Sequence, residues 1–290
     1  MKLTFTLLLF VLSRTVLSQS LETAIKNILS DYTNNTGVSV MNSKGELVAN
    51  INGNEKKVLQ SVFKFHLALA ILDKVDKGEL KLSQKFKLQP QDYINGAYSP
   101  LALKNPDGKE AVSLGDLIIY SAGQSDNVAC EALFRILGGP QVLNQYLKNK
   151  EIKGIQILHT ERGMFEKWEA QFDNWSTAVS SVELLYKFEN NQMVLKPSTD
   201  YLRQILISSP TGPNRLKGGL PSIIKVAHKT GTSGVKTGIT TAVNDIGIVY
   251  LPNGSPYYIS VFVSDSPYDM SKTEEIIARV SKTVFEHFSK

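Results

Sequence analysis

Four short groups of residues in this chain could do chemistry. In Gln60-Ser61-Val62-Phe63-Lys64 a hydroxyl precedes an amine by three positions. That spacing puts two side chains on one face of a helix, within reach of each other. An amine enclosed by apolar neighbours is driven toward its neutral, proton-accepting form, so the pair could be a serine nucleophile with its own base. The stretch by itself leaves a second reading open, in which Ser61 only caps a helix and Lys64 runs out to solvent. Ser125-Asp126-Asn127 supplies another hydroxyl and an amide. Lys229-Thr230-Gly231, continued by Thr232-Ser233-Gly234, supplies another amine with further hydroxyls, and Glu161 is an acid between those two groups. Each set alone is a weak signal, whereas all of them in this order and context are a strong one.

The elements that must position these residues are legible in the periodicity. Val62, Phe63, Phe65 and the run from Leu67 to Leu72 are apolar on nearly every side, which predicts a helix buried in the middle of a domain and stopped at Lys77-Gly78. Ser113 is placed to cap a helix from Leu114 to Tyr120, with a break at Ser121-Ala122-Gly123-Gln124. A helix from Val128 to Leu137 then ends at Gly138-Gly139, and Pro140 suits the first turn of the next. Asn127 and its neighbours therefore fall between two helices, where side chains can enter a cleft. Residues 78 to 107 and 158 to 176 read as long loops; a loop of that length in a compact domain is usually functional.

Leu21 to Tyr32 has helical spacing, and Thr36 to Val40 and Glu46 to Ile51 flank the hairpin turn Asn42-Ser43-Lys44-Gly45. Helices from Thr177 to Phe188 and Ser198 to Ile207 precede strands from Lys225 to Thr232, Thr240 to Leu251 and Tyr257 to Ser264. A final amphipathic helix runs from Ser271 to Phe288. Strands at both ends of the chain around a helical middle imply a mixed α/β (α+β) protein. Its antiparallel sheet would come from residues 19–55 and 208–290, with a helical lobe, 56–207, inserted and the site between them.

Composition narrows the class. The 290 residues are 42% hydrophobic and 20% charged, an ordinary globular balance. Residues 1–18 begin with Lys2 and an apolar run from Leu3 to Leu12 that is too short to span a bilayer, so they read as a cleaved signal peptide, without a membrane anchor. Losing them removes Lys2 and Arg14 and no acid, lowering the net charge of +5 by two. No dense basic tract is left for nucleic acid. The single Cys130 sits in an apolar helical pattern and reads as core packing rather than chemistry. His66, His159, His228 and His287 lack metal-ligand spacing, so neither metal nor cofactor is expected.

The set SxxK, SDN and KTG is that of class A β-lactamases and penicillin-binding proteins, and from Leu21 to Phe288 the sequence resembles a class A serine β-lactamase. Gln60, Asn174-Trp175 and His228 are most similar to the PER-type branch of extended-spectrum enzymes. The resemblance implies the serine β-lactamase/DD-peptidase-like fold and hydrolysis of penicillins and cephalosporins by a periplasmic monomer. It makes Ser61 the nucleophile, Lys64 its proton partner, and Ser125 the shuttle to the lactam nitrogen. Asn127 holds Lys64 and the substrate amide. Lys229 and Thr230, followed by Gly231, face the substrate carboxylate, and the amides of Ser61 and Thr232 form the oxyanion hole.

Deacylation needs a base. The family's loop glutamate stands thirteen residues before the residue closing the loop, which selects Glu161 if Asn174 closes it; Glu166 and Glu169 compete. Two departures from the family are evident. Phe165 stands where many members have a water-holding asparagine. Asn174 replaces the common aspartate, so the loop is expected to be tied down differently. No arginine occurs from 232 to 251, which leaves Arg215 as the carboxylate donor, or else as a solvated loop residue. Tyr98 resembles the aromatic at the cleft mouth, with packing as the alternative. A cell-wall peptidase would share SxxK and KTG but lack the loop base, and a β-lactam sensor would remain acylated.

Overall fold

The computed structural model describes residues 21–290. The leader read over residues 1–18 lies outside them. Five long strands form the main antiparallel sheet in the order Leu47–Ile51, Thr36–Met41, Pro256–Ser266, Ile239–Tyr250, Val226–Thr232, with the short Val235–Lys236 beside Ile239–Tyr250. N-terminal strands thus join C-terminal ones through Thr36–Met41, whose Val38 faces Val261.

Both faces of the sheet are covered, which explains why the strands are buried along almost their whole length. On one face lie helical residues 21–29 and the C-terminal helix Met270–Phe288. They bury Ile25, Ile277, Val280 and Val284 against Val38, Val243 and Ile259. On the other face Ala178–Glu189 packs on the sheet, and the helices Asn127–Leu137 and Pro140–Asn149 gather around Phe63–Asp76. Phe63–Asp76 is buried from Phe63 to Asp73, as its all-round apolar sequence requires. Each such Leu, Ile or Phe contributes about 1.5–3 kcal/mol by leaving water.

Three regions differ from the periodicity. Residues 78–107 contain the strand Lys85–Lys87, paired with Ala111–Ser113, and the short helix Pro100–Lys104. The helix capped by Ser113 does not break at Ser121; one π-helical stretch, Ile119–Gly123, carries it to Gln124. Residues 158–176 are not a structureless loop, since they hold the helix Glu161–Glu166, the 3-10 segment Trp168–Asp173 and the strand Trp175–Ser176. Short polar elements of this kind are stabilised by capping and tertiary hydrogen bonds, which periodicity does not reveal.

Candidate active site

Ser61 lies in the 3-10 turn Gln60–Val62, which runs directly into Phe63–Asp76. Gln60 has φ of 46°, a left-handed conformation that residues other than glycine seldom adopt. Three contacts hold it there. The Leu59 amide donates to the Asn174 carbonyl at 2.9 Å. The Asn244 side chain donates to the Val58 and Leu59 carbonyls at 2.7 and 3.2 Å, and Gln60 Nε2 donates to Gln171 Oε1 at 2.7 Å. The Ser61 hydroxyl caps neither helix, which rules out the capping alternative. Lys64 is 0% exposed, so it does not run to solvent either. Its ammonium donates to Ser61 Oγ at 3.1 Å, the Ser125 carbonyl at 2.7 Å and Asn127 Oδ1 at 2.5 Å.

Ser125-Asp126-Asn127 occupies the gap between helices. Ser125 is left-handed, with φ of 59°, and its hydroxyl accepts from Lys229 Nζ at 3.0 Å. Asp126 is the N-cap of Asn127–Leu137, taking the Ala129 amide at 2.9 Å. The same carboxylate accepts from Ser99 Oγ and the Leu101 amide, and the Asn127 amide donates to the Tyr98 carbonyl at 3.1 Å. This tie puts Tyr98 beside the cleft that holds Ser61, with 60% of its surface exposed.

Lys229, Thr230 and Gly231 lie on Val226–Thr232. Lys229 is buried, and desolvation followed by repulsion from Lys64 pushes its pKa well below the ordinary lysine value, against the attraction of Glu161 and Asp245. Gly231 is required by close approach, because a Cβ there would stand 2.5 Å from the Leu59 carbonyl. Arg215 is not a solvated loop residue, being 4% exposed. Its guanidinium pairs with Glu274 at 3.0 Å and donates to the Gly231 and Asn244 carbonyls at 3.2 and 2.9 Å and to Thr232 Oγ1 at 2.7 Å. Thr232, accepting there, keeps its own hydroxyl hydrogen for the cleft.

Of the three loop glutamates, the fold brings Glu161 to the serine. Its carboxylate is 3.0 Å from Lys64 Nζ and accepts from Ser61 Oγ at 3.4 Å. Glu166 and Glu169 are exposed and pair with Arg162 and Lys236. Phe165 is 57% exposed at the cleft wall. Asn174 does tie the loop, through neutral bonds: its side chain accepts from the Leu158 and His159 amides at 2.8 and 3.0 Å and donates to the His159 carbonyl at 2.8 Å. A carboxyl group tied to the loop is supplied instead by Glu131, which none of the motifs marks. Its carboxylate accepts the Arg162 amide at 2.8 Å and so fixes the turn carrying Glu161, while burial raises its pKa. The available signal was its place four residues after Asn127, on the same helix face. Cys130, beside it, is fully buried, and burial pushes its thiol pKa well up.

The cleft continues on both sides of Ser61. One side, about 260 Å³, is lined by Tyr98, Ser125, Thr211, Arg215 and Thr230. The other, about 330 Å³, is lined by Gln60, Glu161, Phe165, Trp168 and Gly234. A serine between an amine and a carboxylate, facing a second serine–lysine pair, has the makeup of an acyl-transfer enzyme working through a serine ester.

Comparison with known proteins specifies the class further. The profile of the β-lactamase enzyme family matches residues 20–288. The chain is 36% identical to β-lactamase VEB-1 of Pseudomonas aeruginosa, over 93% of this chain and 91% of that protein. It is 39% identical to the extended-spectrum β-lactamase PER-1 of the same species, over 81% and 77%. The crystal structure of TLA-3 extended-spectrum β-lactamase superposes with a TM-score of 0.91 at 39% identity, covering 94% of this chain and 100% of that one. The chain therefore belongs to the β-lactamase enzyme family. It is a class A serine β-lactamase, hydrolysing the β-lactam amide and so giving antibiotic resistance.

Proposed function

We propose that hydrolysis runs through an ester on Ser61, with Lys64 and Glu161 handling its proton and Glu161 activating the deacylating water. The observation that carries this is the single point at which Lys64 Nζ meets Ser61 Oγ and Glu161 Oε1, at 3.1 and 3.0 Å. The Ser61 proton can pass directly to Glu161, or to Lys64 once Lys64 has given a proton to Glu161. Both routes end with the same protonated carboxyl. Ser61 Oγ adds to the lactam carbonyl, whose oxyanion meets the Ser61 and Thr232 amides. As the C–N bond breaks, Ser125 gives its proton to the nitrogen and regains one from the Lys64 and Lys229 side. Glu161, having returned its proton through Lys64, takes one from the water that attacks the ester carbonyl and passes it to Ser61 Oγ as the acyl–oxygen bond breaks. Asn127 holds the acyl amide, and Lys229, Thr230 and the Thr232 hydroxyl backed by Arg215 take the substrate carboxylate.

Time-resolved intact mass with excess cephalosporin tests the roles. Ser61→Ala should form no adduct, and Glu161→Gln should accumulate one while the parent protein turns over. An adduct on Ser61→Ala, or free turnover by Glu161→Gln with loss in Glu166→Gln, would overturn the assignments.

The finer reading is that the substrates include extended-spectrum cephalosporins. The names of PER-1 and TLA-3 and the open space beside Gln60, Phe165 and Trp168 support it. A kcat/KM for cephalosporins with bulky acyl groups far below that for simple penicillins would refute it. We further read residues 1–18 as the leader of a periplasmic, monomeric enzyme with lobes 19–55 plus 208–290 and 56–207. Among the described residues no helix is long and apolar enough to cross a membrane. Cell fractionation and gel filtration check location and state.

A further inference from the structure

Behind the Lys229 strand lies an ionisable pair to which the reaction assigns no role. His228 and Asp245 are both fully buried, and His228 Nδ1 is 3.0 Å from each Asp245 carboxylate oxygen. Asp245 stands opposite Thr230 on the neighbouring strand, and His228 opposite Gly247. Directly opposed residues share a sheet face and successive ones alternate, so His228 and Asp245 lie on the face away from the Lys229 side chain. Gly247 makes the space, since a Cβ there would stand 3.1 Å from His228 Cβ. Asp245 also accepts the Leu216 amide at 3.2 Å, the residue next to Arg215, while the Leu216 carbonyl takes Ser281 Oγ at 2.8 Å. Nε2 of His228 is buried without a partner. The tautomer with its hydrogen on Nδ1 satisfies Asp245, whereas a proton on Nε2 would find no acceptor.

We propose that Asp245, fixed by His228, is the positioning group of the substrate-carboxylate site. It ties the Lys229 strand to the Arg215 turn and places a buried negative charge beneath the Lys229 ammonium. The inference rests on Lys229 being the ammonium that faces substrate. The charged groups around Lys229 are Lys64 on the nucleophile helix, Glu161 on the loop, Arg215 on the turn and Asp245 on the adjacent strand. Two cations there oppose the Lys229 charge and two acids favour it. Lys217, on the same turn as Arg215, is also attracted by Asp245, and Glu274 on the C-terminal helix is paired with Arg215. Removing the Asp245 charge thus leaves Glu161 as the one acid of this group acting on Lys229.

The test is the pH profile of kcat/KM in Asp245→Asn, a near-isosteric change that keeps an acceptor for the Leu216 amide. The alkaline limb should move to lower pH by about half to one unit, with KM rising more for carboxylate-bearing substrates than for their esters. Lys229→Arg stays charged and should lose that limb, and Asp245→Asn in the Lys229→Arg background should then shift nothing. An alkaline limb unchanged in folded Asp245→Asn, with Lys229→Arg abolishing it, overturns the role of Asp245. A limb that survives Lys229→Arg refutes the Lys229 reading instead. His228→Asn cannot reach Asp245 but leaves its charge, so it should raise KM for anionic substrates without moving the limb. If Asp245→Asn is too unstable to assay, this arm decides: a rise in KM confined to carboxylate substrates supports the pair, and an unchanged KM overturns it.

Discussion

Truncating Arg215 separates two things that its guanidinium does at once. Of its five N–H groups, Nε is held by Glu274, the two on Nη1 by the Gly231 and Asn244 carbonyls, and one on Nη2 by Thr232 Oγ1. The last has only Met270 Sδ, at 3.9 Å. Arg215→Ala leaves Glu274, whose side chain is 12% exposed, without its cation. Breaking a buried pair by removing one partner costs about 3–5 kcal/mol. At about 2–4 °C per kcal/mol for a chain of this order, the Tm should fall on the order of 10 °C. Adding Glu274→Gln removes the orphaned charge, so the double variant should regain about 1–2 kcal/mol over Arg215→Ala. On activity, Thr232 loses a charge-assisted bond of about 1.5–3 kcal/mol, which corresponds to about 10- to 150-fold in kcat/KM. That loss should be large for substrates bearing the carboxylate and small for their esters. Thermal melts and paired kinetics on the parent protein and these two variants measure both effects. A Tm change under about 2 °C, or a double variant as unstable as the single, would refute the structural half, and equal losses on acid and ester would refute the other.

Lys64→Ala should slow acylation about 10²- to 10⁴-fold as the hydroxyl loses its proton partner; an unchanged burst of adduct would make Lys64 structural. Gly231→Ala must push the strand away from the Leu59 carbonyl, so acylation should fall at least about tenfold in a protein that still folds, and wild-type rates would contradict the close approach. Burial lowers the His66 pKa to about 4, so between about pH 6.5 and 4 the unfolded chain binds a proton that the folded one refuses. Stability should therefore fall with pH through that window by up to about 3 kcal/mol. Urea unfolding at pH 7 and 4.5 should show a smaller difference in His66→Leu, and an equal difference would assign the loss elsewhere.

Much of this protein is written locally. Alternation and turn residues mark the long strands, and the apolar run after Ser61 marks a buried helix, because a strand or helix buried on its faces leaves a period in the chain. The chemistry of SxxK, SDN and KTG is legible for the same reason, since each side chain lies within one turn or strand of its motif partner. Glu161 is reached only by spacing within an irregular stretch, and Glu166 and Glu169 are set aside by where the folded loop points them.

Tertiary structure alone decided the rest. The left-handed Gln60 and Ser125 carry no glycine to announce them; contacts from Asn244, Gln171 and Asn174, distant in sequence, hold the Gln60 turn. Sequence left Arg215 open between a carboxylate donor and a solvated loop cation, and packing encloses it between a strand and the C-terminal helix. No motif marks Glu131 or Asp245, which lie in a helix and a strand. One became the support of the Glu161 turn through a contact across the fold, and the other meets His228 only because strand register sets Thr230 opposite it. A side chain's type is fixed by the chain, but the partner that gives a buried charge its purpose is chosen by register and packing between segments far apart in sequence.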